Sequence, residues 1–85
     1  EQNEIQVYPN PAHSQVMVQL PALPVQKRLV QLYTAAGQQV YAKEITTTRN
    51  ETLKIPVQNL APGVYWLHIS SRNNKLIVKK LLIGR

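Results

Sequence analysis

The chain has 85 residues, with ten lysines and arginines against four glutamates, no aspartate and no cysteine, and its formal net charge is +6. A chain of this length forms one domain with a small core. The missing residue types exclude disulfides and thiolate chemistry and remove most of the catalytic triads that proteins build, while the scattered basic residues are typical of a solvated surface.

Apolar residues recur at every second position along nearly the whole chain, and turn residues recur about every 8–12 residues. This pattern predicts strands throughout and no helix. The predicted strands cover residues 5–8, 15–20, 28–33, 38–45, 52–57, 64–70 and 75–84. Seven short strands predict an all-β, immunoglobulin-like sandwich, with a small barrel as the alternative.

The first strand runs into the sequence YPNPA. Pro9 and Pro11 have no backbone N–H to donate, and prolines are excluded from the central strands of sheets. We therefore expect an edge strand that turns a corner here. The alternation in residues 15–20 predicts that every second side chain faces the core, beginning with Val16. Residues 21–27 contain two prolines and are predicted to form a loop.

Turn signals separate the middle strands. Gly37 ends the sequence TAAG and can take the positive φ of a hairpin loop with a bulge. Pro56 marks an edge strand, and Pro62 with Gly63 marks a tight turn. Residues 72–74 are predicted to form a further hairpin turn. The strand at 64–70 is expected to place Tyr65, Leu67 and Ile69 on one face and Val64, Trp66 and His68 on the other.

The last strand has two adjacent lysines, Lys79 and Lys80, although neighbouring side chains of a strand point to opposite faces. One interpretation leaves Lys79 on the buried face, with its stem along apolar surface at the sheet margin. The other places a β-bulge between the lysines, so that both stay exposed, and this is the interpretation that we favour from sequence. The inward sets are Ile77, Leu81 and Ile83 in the first case and Leu76, Val78, Leu81 and Ile83 in the second.

The sequence predicts no catalytic, cofactor-binding or metal-binding residue. The histidines, His13 and His68, are far apart and lack the spacing of metal ligands. The aromatic residues Trp66, Tyr41 and Tyr33 fall on different strands, which argues against nucleic-acid binding. A carbohydrate- or surface-binding sandwich module, with Trp66 as the stacking platform, is the alternative function from the sequence.

Four motifs occur in a fixed order: YPNPA, VQLYTAAGQQV, LAPGVYWLHI and a lysine-containing apolar strand at the end. Together they resemble the C-terminal sorting domain of the type IX (Por) secretion system of Bacteroidota, over residues 7–85. The resemblance implies an immunoglobulin-like sandwich of seven strands that acts as a secretion signal and not as an enzyme.

The resemblance also implies a route and partners. The domain would be covalently linked to an N-terminal cargo protein, pass through the periplasm, and be bound by an outer-membrane translocon and its shuttle proteins. A sortase-like peptidase at the cell surface would then remove it, with residues 1–6 as the linker and cleavage region. Because the sequence begins with Glu1, we also expect a piece of a longer protein.

Two sets of residues are carried over from the family. The motif residues are Pro9, Asn10, Pro11, Gly37, Pro62, Gly63 and Tyr65, and the residues expected to be recognised by the translocon are Lys79, Lys80, Leu81, Leu82, Ile83 and Arg85. Gly84 departs from the family pattern, in which a lysine or similar residue directly follows the apolar run. An edge strand at this position could add to a partner's sheet, with lysines limiting promiscuous pairing, and the same edge could mediate self-association.

Overall fold

The alternating pattern folds as predicted into strands. A computed structural model describes residues 5–20, 26–47, 50–71 and 76–84. Its strands are β1 (Gln6–Tyr8), β2 (Gln15–Leu20), β3 (Gln26–Thr34), β4 (Gln39–Thr47), β5 (Glu51–Pro56), β6 (Gly63–Ser71) and β7 (Leu76–Ile83). Those ranges contain no helix, and hence none that is long and apolar enough to cross a membrane. The predicted turn at 72–74, most of the 21–27 loop and Arg85 lie outside the described residues.

The strands form two antiparallel sheets. One has the order β1-β2-β5 and the other has the order β4-β3-β6-β7. The two sheets enclose one core, so the prediction of an immunoglobulin-like sandwich is confirmed. β4 pairs with β3 in the four-stranded sheet. The prolines lie where their missing donors cost no ladder bond: Pro9 follows the edge strand β1, and Pro56 ends the edge strand β5.

The core consists of side chains from alternate positions of both sheets. Val16, Val18 and Leu20 of β2 are completely buried, as the pattern predicts. In β6 the predicted inward face is also the buried one, while Trp66 is exposed on the opposite face. The buried apolar residues are Ile5, Ala12, Val16, Val18, Leu20, Val30, Leu32, Ile55, Val57, Tyr65, Leu67, Ile69, Leu81 and Ile83.

The β3–β4 hairpin is longer than predicted, because the ladder continues from Tyr33 opposite Gln39 to Gln26 opposite Thr47. Its loop closes as the sequence predicts: the N–H of Gly37 donates to the carbonyl oxygen of Thr34 over 2.9 Å. Gly37 has φ +91°, in the left-handed region that side chains disfavour. The register shifts next to this loop, between Leu32 and Tyr33, as in a hairpin with a bulge.

Tyr65 fixes the corner between β5 and β6. Its ring is buried, and its hydroxyl donates a hydrogen bond of 2.6 Å to the backbone carbonyl oxygen of Ala61, four residues upstream. This arrangement matches the tyrosine corner of immunoglobulin-like sandwiches, in which a tyrosine near the start of a strand ties down the preceding loop. The predicted core role of Tyr65 is therefore accompanied by a polar one.

We expect Tyr65→Phe to keep the fold and to lower the free energy of unfolding by about 1 kcal/mol, because it removes one hydrogen bond and no apolar surface. For a domain of this size the melting temperature should fall by roughly 4–8 °C. Thermal unfolding followed by circular dichroism measures this. Tyr8→Phe is the matched control, because Tyr8 is exposed. An equal loss in the two variants would contradict the assigned role.

Candidate functional site

The last strand lies at an edge of the four-stranded sheet. β7 pairs with β6 in an unbroken register, from Ser70 opposite Leu76 to Gly63 opposite Ile83. There is no bulge between the lysines, so the favoured sequence interpretation is wrong. The alternative is confirmed in its assignment of faces, although Ile77, one of its three inward residues, is exposed. Lys79 shares the inward face with Leu81 and Ile83, where it is half-buried, whereas Lys80 is exposed on the outer face.

β7 is unusual in exposing apolar side chains on both faces. Six large hydrophobic side chains are exposed among the described residues, and four of them are on this strand. These four are Leu76, Ile77, Val78 and Leu82, with exposed fractions between 37% and 56%. Concentration of apolar surface on one edge strand marks an interaction site more often than scattered exposed residues do.

Asn10 covers part of the outer edge of β7. Its side-chain oxygen accepts a hydrogen bond of 3.0 Å from the backbone N–H of Leu82. Its side-chain nitrogen donates over 3.3 Å to the backbone carbonyl oxygen of Lys80. The amide of Asn10 therefore satisfies a donor and an acceptor that a neighbouring strand would otherwise pair, although it lies about 70 positions away in the sequence.

Two residues later the backbone itself takes over this pairing. Ala12 donates its N–H to the carbonyl oxygen of Leu82 and accepts from the N–H of Gly84, both over 2.8 Å, in a parallel bridge. The chain thus leaves β1 in one sheet and reaches the edge of the other sheet through the sequence Pro9–Asn10–Pro11, whose two prolyl peptide bonds are cis.

Gly84, which departs from the family pattern, is not required by its backbone conformation. A Cβ atom built there would meet only the Cβ of Pro11 at 3.5 Å and the His13 ring at 3.6 Å at ordinary contact distances. Its described role is the N–H that it donates to Ala12. This role depends on the backbone and not on the missing side chain.

A groove of about 460 Å³ lies between β1 and the middle of β7. It opens because β1 pairs with β2 in one sheet while β7 ends the other sheet. Both lysines line it, and the described lining includes no acidic residue. The lining residues are Ile5, Gln6, Val7, Tyr8, Asn10, Lys79 and Lys80.

The family motifs that are far apart in the sequence meet around the end of β7. Asn10 pairs with one side of the strand, while Gly63 and Tyr65 of β6 stand opposite Ile83 and Leu81 on the other side. Gly37 lies apart, in the β3–β4 hairpin, and Pro62 lies in the loop before β6. Of the predicted recognition residues, Leu81 and Ile83 are buried, whereas Lys80 and Leu82 are exposed.

The aromatic residues do not form one platform. Tyr33 and Trp66 are cross-strand partners on the outer face of their sheet. The Tyr33 ring is tilted by 47° against His68, at a centroid distance of 4.7 Å. Tyr41 packs against the core, and burial raises the pKa of its hydroxyl above the usual value. Trp66 is the most exposed of these rings, and the carbohydrate-binding alternative depends on it, with the half-buried Tyr33 as its neighbour on the same face.

Sequence reasoning missed Arg28, which is buried with only 6% of its surface exposed. It shares the inward face of β3 with Val30, and burial lowers the pKa of its guanidinium group. It lines a small pocket of about 210 Å³ that also includes Lys27 and Glu44. The alternation in β3 is the signal that would have placed Arg28 inward. The described residues include no group of three or more potential metal ligands.

Comparison with known proteins identifies a family for the chain. The sequence profile described as "Secretion system C-terminal sorting domain" matches residues 6–84. A curated relative is Beta-agarase A of Zobellia galactanivorans, 32% identical over 73 residues. The match covers 86% of this chain but only 13% of the agarase, so the chain spans a small fraction of that relative.

We expect Asn10→Ala to speed hydrogen exchange of the Leu82 amide by about tenfold or more, because its acceptor is lost. The free energy of unfolding should fall by about 1 kcal/mol, because two hydrogen bonds are lost and exposed bonds lie at the low end of the usual contribution per bond. Asn10→Asp should protect the Leu82 amide better than Asn10→Ala, since it keeps an acceptor oxygen. Asn59→Ala is the control, because Asn59 is exposed in the loop after β5. Unchanged exchange in Asn10→Ala would show that the side chain does not close this edge.

Proposed function

Because the chain belongs to the family of secretion system C-terminal sorting domains, we propose that it guides a covalently linked cargo through an outer-membrane translocon, with β7 as the strand that is read. The family provides the sorting signal of the type IX secretion system. It therefore implies export of the attached protein to the cell surface or the extracellular space, and a signal is not a catalytic function.

The observation that carries the proposal is the exposure of β7. A recognition signal must be accessible while the domain stays folded, and an edge strand meets both conditions. Its outer edge carries backbone donors and acceptors, and its four exposed apolar side chains provide surface that a partner could bury. We assign contact with the translocon to Lys80 and Leu82 and to the half-buried Lys79.

The other residues of the strand have a supporting role in this proposal. Leu81 and Ile83 point into the core and hold β7 against β6, which keeps the exposed side chains in a fixed arrangement. Arg85 would add a further positive charge after the strand. The motif residues Asn10, Gly63 and Tyr65 position β7 from its two sides and need not touch the translocon.

The domain boundaries and the route complete the proposal. Residues 7–85 would be the sorting domain and residues 1–6 the linker to the cargo, where a sortase-like peptidase at the cell surface would cut. Before that step the protein would cross the periplasm and meet the shuttle proteins of the system. The sequence resemblance and the family membership support this route.

A secretion assay tests the role of the lysines. A reporter fused ahead of residues 1–85 would be expressed in a bacterium that has a type IX secretion system. We expect Lys79→Ala with Lys80→Ala to reduce the secreted fraction severalfold, because it removes both charges beside the edge. The melting temperature should fall by less than about 4 °C, as is usual for substitutions that remove little buried surface.

The matched control is Lys43→Ala with Lys54→Ala, which removes the same charge from exposed positions on β4 and β5. Its secretion should be normal. An equal loss of secretion in the two variants would mean that only the net charge matters. Normal secretion of both variants would show that Lys79 and Lys80 are not part of the recognition site. Deletion of residues 76–85 should leave the reporter in the periplasm, but it also removes Leu81 and Ile83 from the core.

A further inference from the structure

The outer edge of β7 has a closed half and an open half. Asn10 and Ala12 bond to the backbone of Lys80, Leu82 and Gly84. Backbone groups of alternate residues in a strand point the same way, so the N–H and C=O of Leu76 and Val78 face this edge too. Within the part of the chain that the structure describes, no residue pairs with them.

The groove beside β1 adjoins the open half: Lys79 and Lys80 line it, and Leu76 and Val78 continue the same edge toward the start of β7. A segment lying there would run beside residues 76–80, a length of roughly 17 Å at about 3.4 Å per residue. It could not continue further without displacing Asn10. Beside Lys79 and Lys80 its alternate side chains would point either toward the apolar groove residues Ile5 and Val7 or outward, on the face of β7 that carries Val78 and Lys80.

The charge of the groove indicates what such a segment carries. Lys79 and Lys80 lie on opposite faces of β7, and both line the groove, whose described lining contains no carboxylate. A strand that pairs there therefore meets an ammonium group on either face. Glutamate or aspartate side chains at the matching positions would balance these charges.

We infer that the open half of the β7 edge, together with the adjoining groove, is a strand-addition site for an extended acidic segment of a partner protein, about five residues long. The segment pairs with the backbone of Leu76 and Val78 and with the N–H of Lys80, and it places carboxylates beside the two lysines. As a statement about the partner in secretion, the inference rests on the proposed function. As a statement about binding, it can be tested on this chain alone.

Two other occupants fit the groove less well. A second copy of the chain would also have a net charge of +6, and antiparallel pairing of two β7 strands would place four lysines along one seam. A phosphate group could balance the lysines but does not have the alternating donors and acceptors that the backbone of the edge would pair with. An extended peptide is the ligand that uses both the backbone and the charges.

Nuclear magnetic resonance with the isotope-labelled chain provides the test. The probe is a blocked seven-residue valine peptide with two adjacent glutamates at its centre, which point to opposite faces of a strand, and the comparison is the same peptide with lysine for glutamate. We expect the acidic peptide to shift the Val78 and Lys80 amide signals and to slow their hydrogen exchange. The lysine peptide should bind at least about tenfold more weakly, and added salt should weaken the acidic one.

Variants separate the backbone contribution from the charge contribution. Val78→Pro removes an N–H that faces the open edge and not β6, so the domain should fold but lose peptide binding. Lys79→Glu with Lys80→Glu should weaken binding of the acidic peptide at least about tenfold. Lys43→Glu with Lys54→Glu makes the same charge change on β4 and β5 and should leave the Val78 response in place.

Several results would overturn the inference. The first two are equal binding of both peptides and signal changes confined to the face of Trp66. The third is full peptide binding by a folded Val78→Pro variant. The fourth, measured without peptide, is protection of the Val78 amide from hydrogen exchange that increases with protein concentration. The last result would identify a second copy as the occupant. If Lys79→Ala with Lys80→Ala lowers secretion but the unsubstituted chain does not bind the acidic peptide, this inference is rejected and the proposed function stands. If the unsubstituted chain binds the peptide but the variant is secreted normally, the site binds an acidic strand and the proposed role of the lysines in secretion is rejected.

Discussion

The unbroken pairing of β6 with β7 determines nearly every property of the candidate site. Because the register does not shift, each residue of β7 has a fixed face, and the lysines lie on opposite sides of the sheet. Leu81 and Ile83 enter the core, which holds the end of the strand, while the start of the strand exposes Leu76, Ile77 and Val78. A bulge would have turned the start of the strand over, and the groove would have lost its charged lining on one face.

The sequence predicts correctly which side chains point into the core wherever polar residues mark the outward face of a strand. In β2 two glutamines mark the outward face, and in the second half of β6 the polar residues His68 and Ser70 alternate with the buried Leu67 and Ile69. β7 defeats this reasoning, because Leu76, Val78 and Leu82 are as apolar as the residues that point inward. With apolar residues on both faces, the lysine pair was the remaining signal, and it suggested a bulge that the ladder to β6 does not contain.

Other features lay beyond the sequence for a different reason. The pairing of Asn10 with β7 joins positions that no local pattern connects, and only the prolines on either side hinted that this segment leaves its sheet. The convergence of the PNP and PGVY motifs on one strand likewise depends on the order of strands in two sheets. Resemblance to a family identified these residues as a set, whereas the fold shows that Asn10, Gly63 and Tyr65 flank the same strand.

The path of the chain beside β7 has a consequence for whatever precedes the domain. Ile5 and Gln6 line the groove, so the polypeptide enters the sandwich next to the edge that we propose a partner occupies. Under the proposed function, a folded cargo held close to this segment would compete with that partner for the space beside β7. A flexible linker would relieve this crowding as its length increases. Under the proposed function, the distance between a cargo and the first strand would control access to β7, and a spacer of a few residues would be a functional part of the signal.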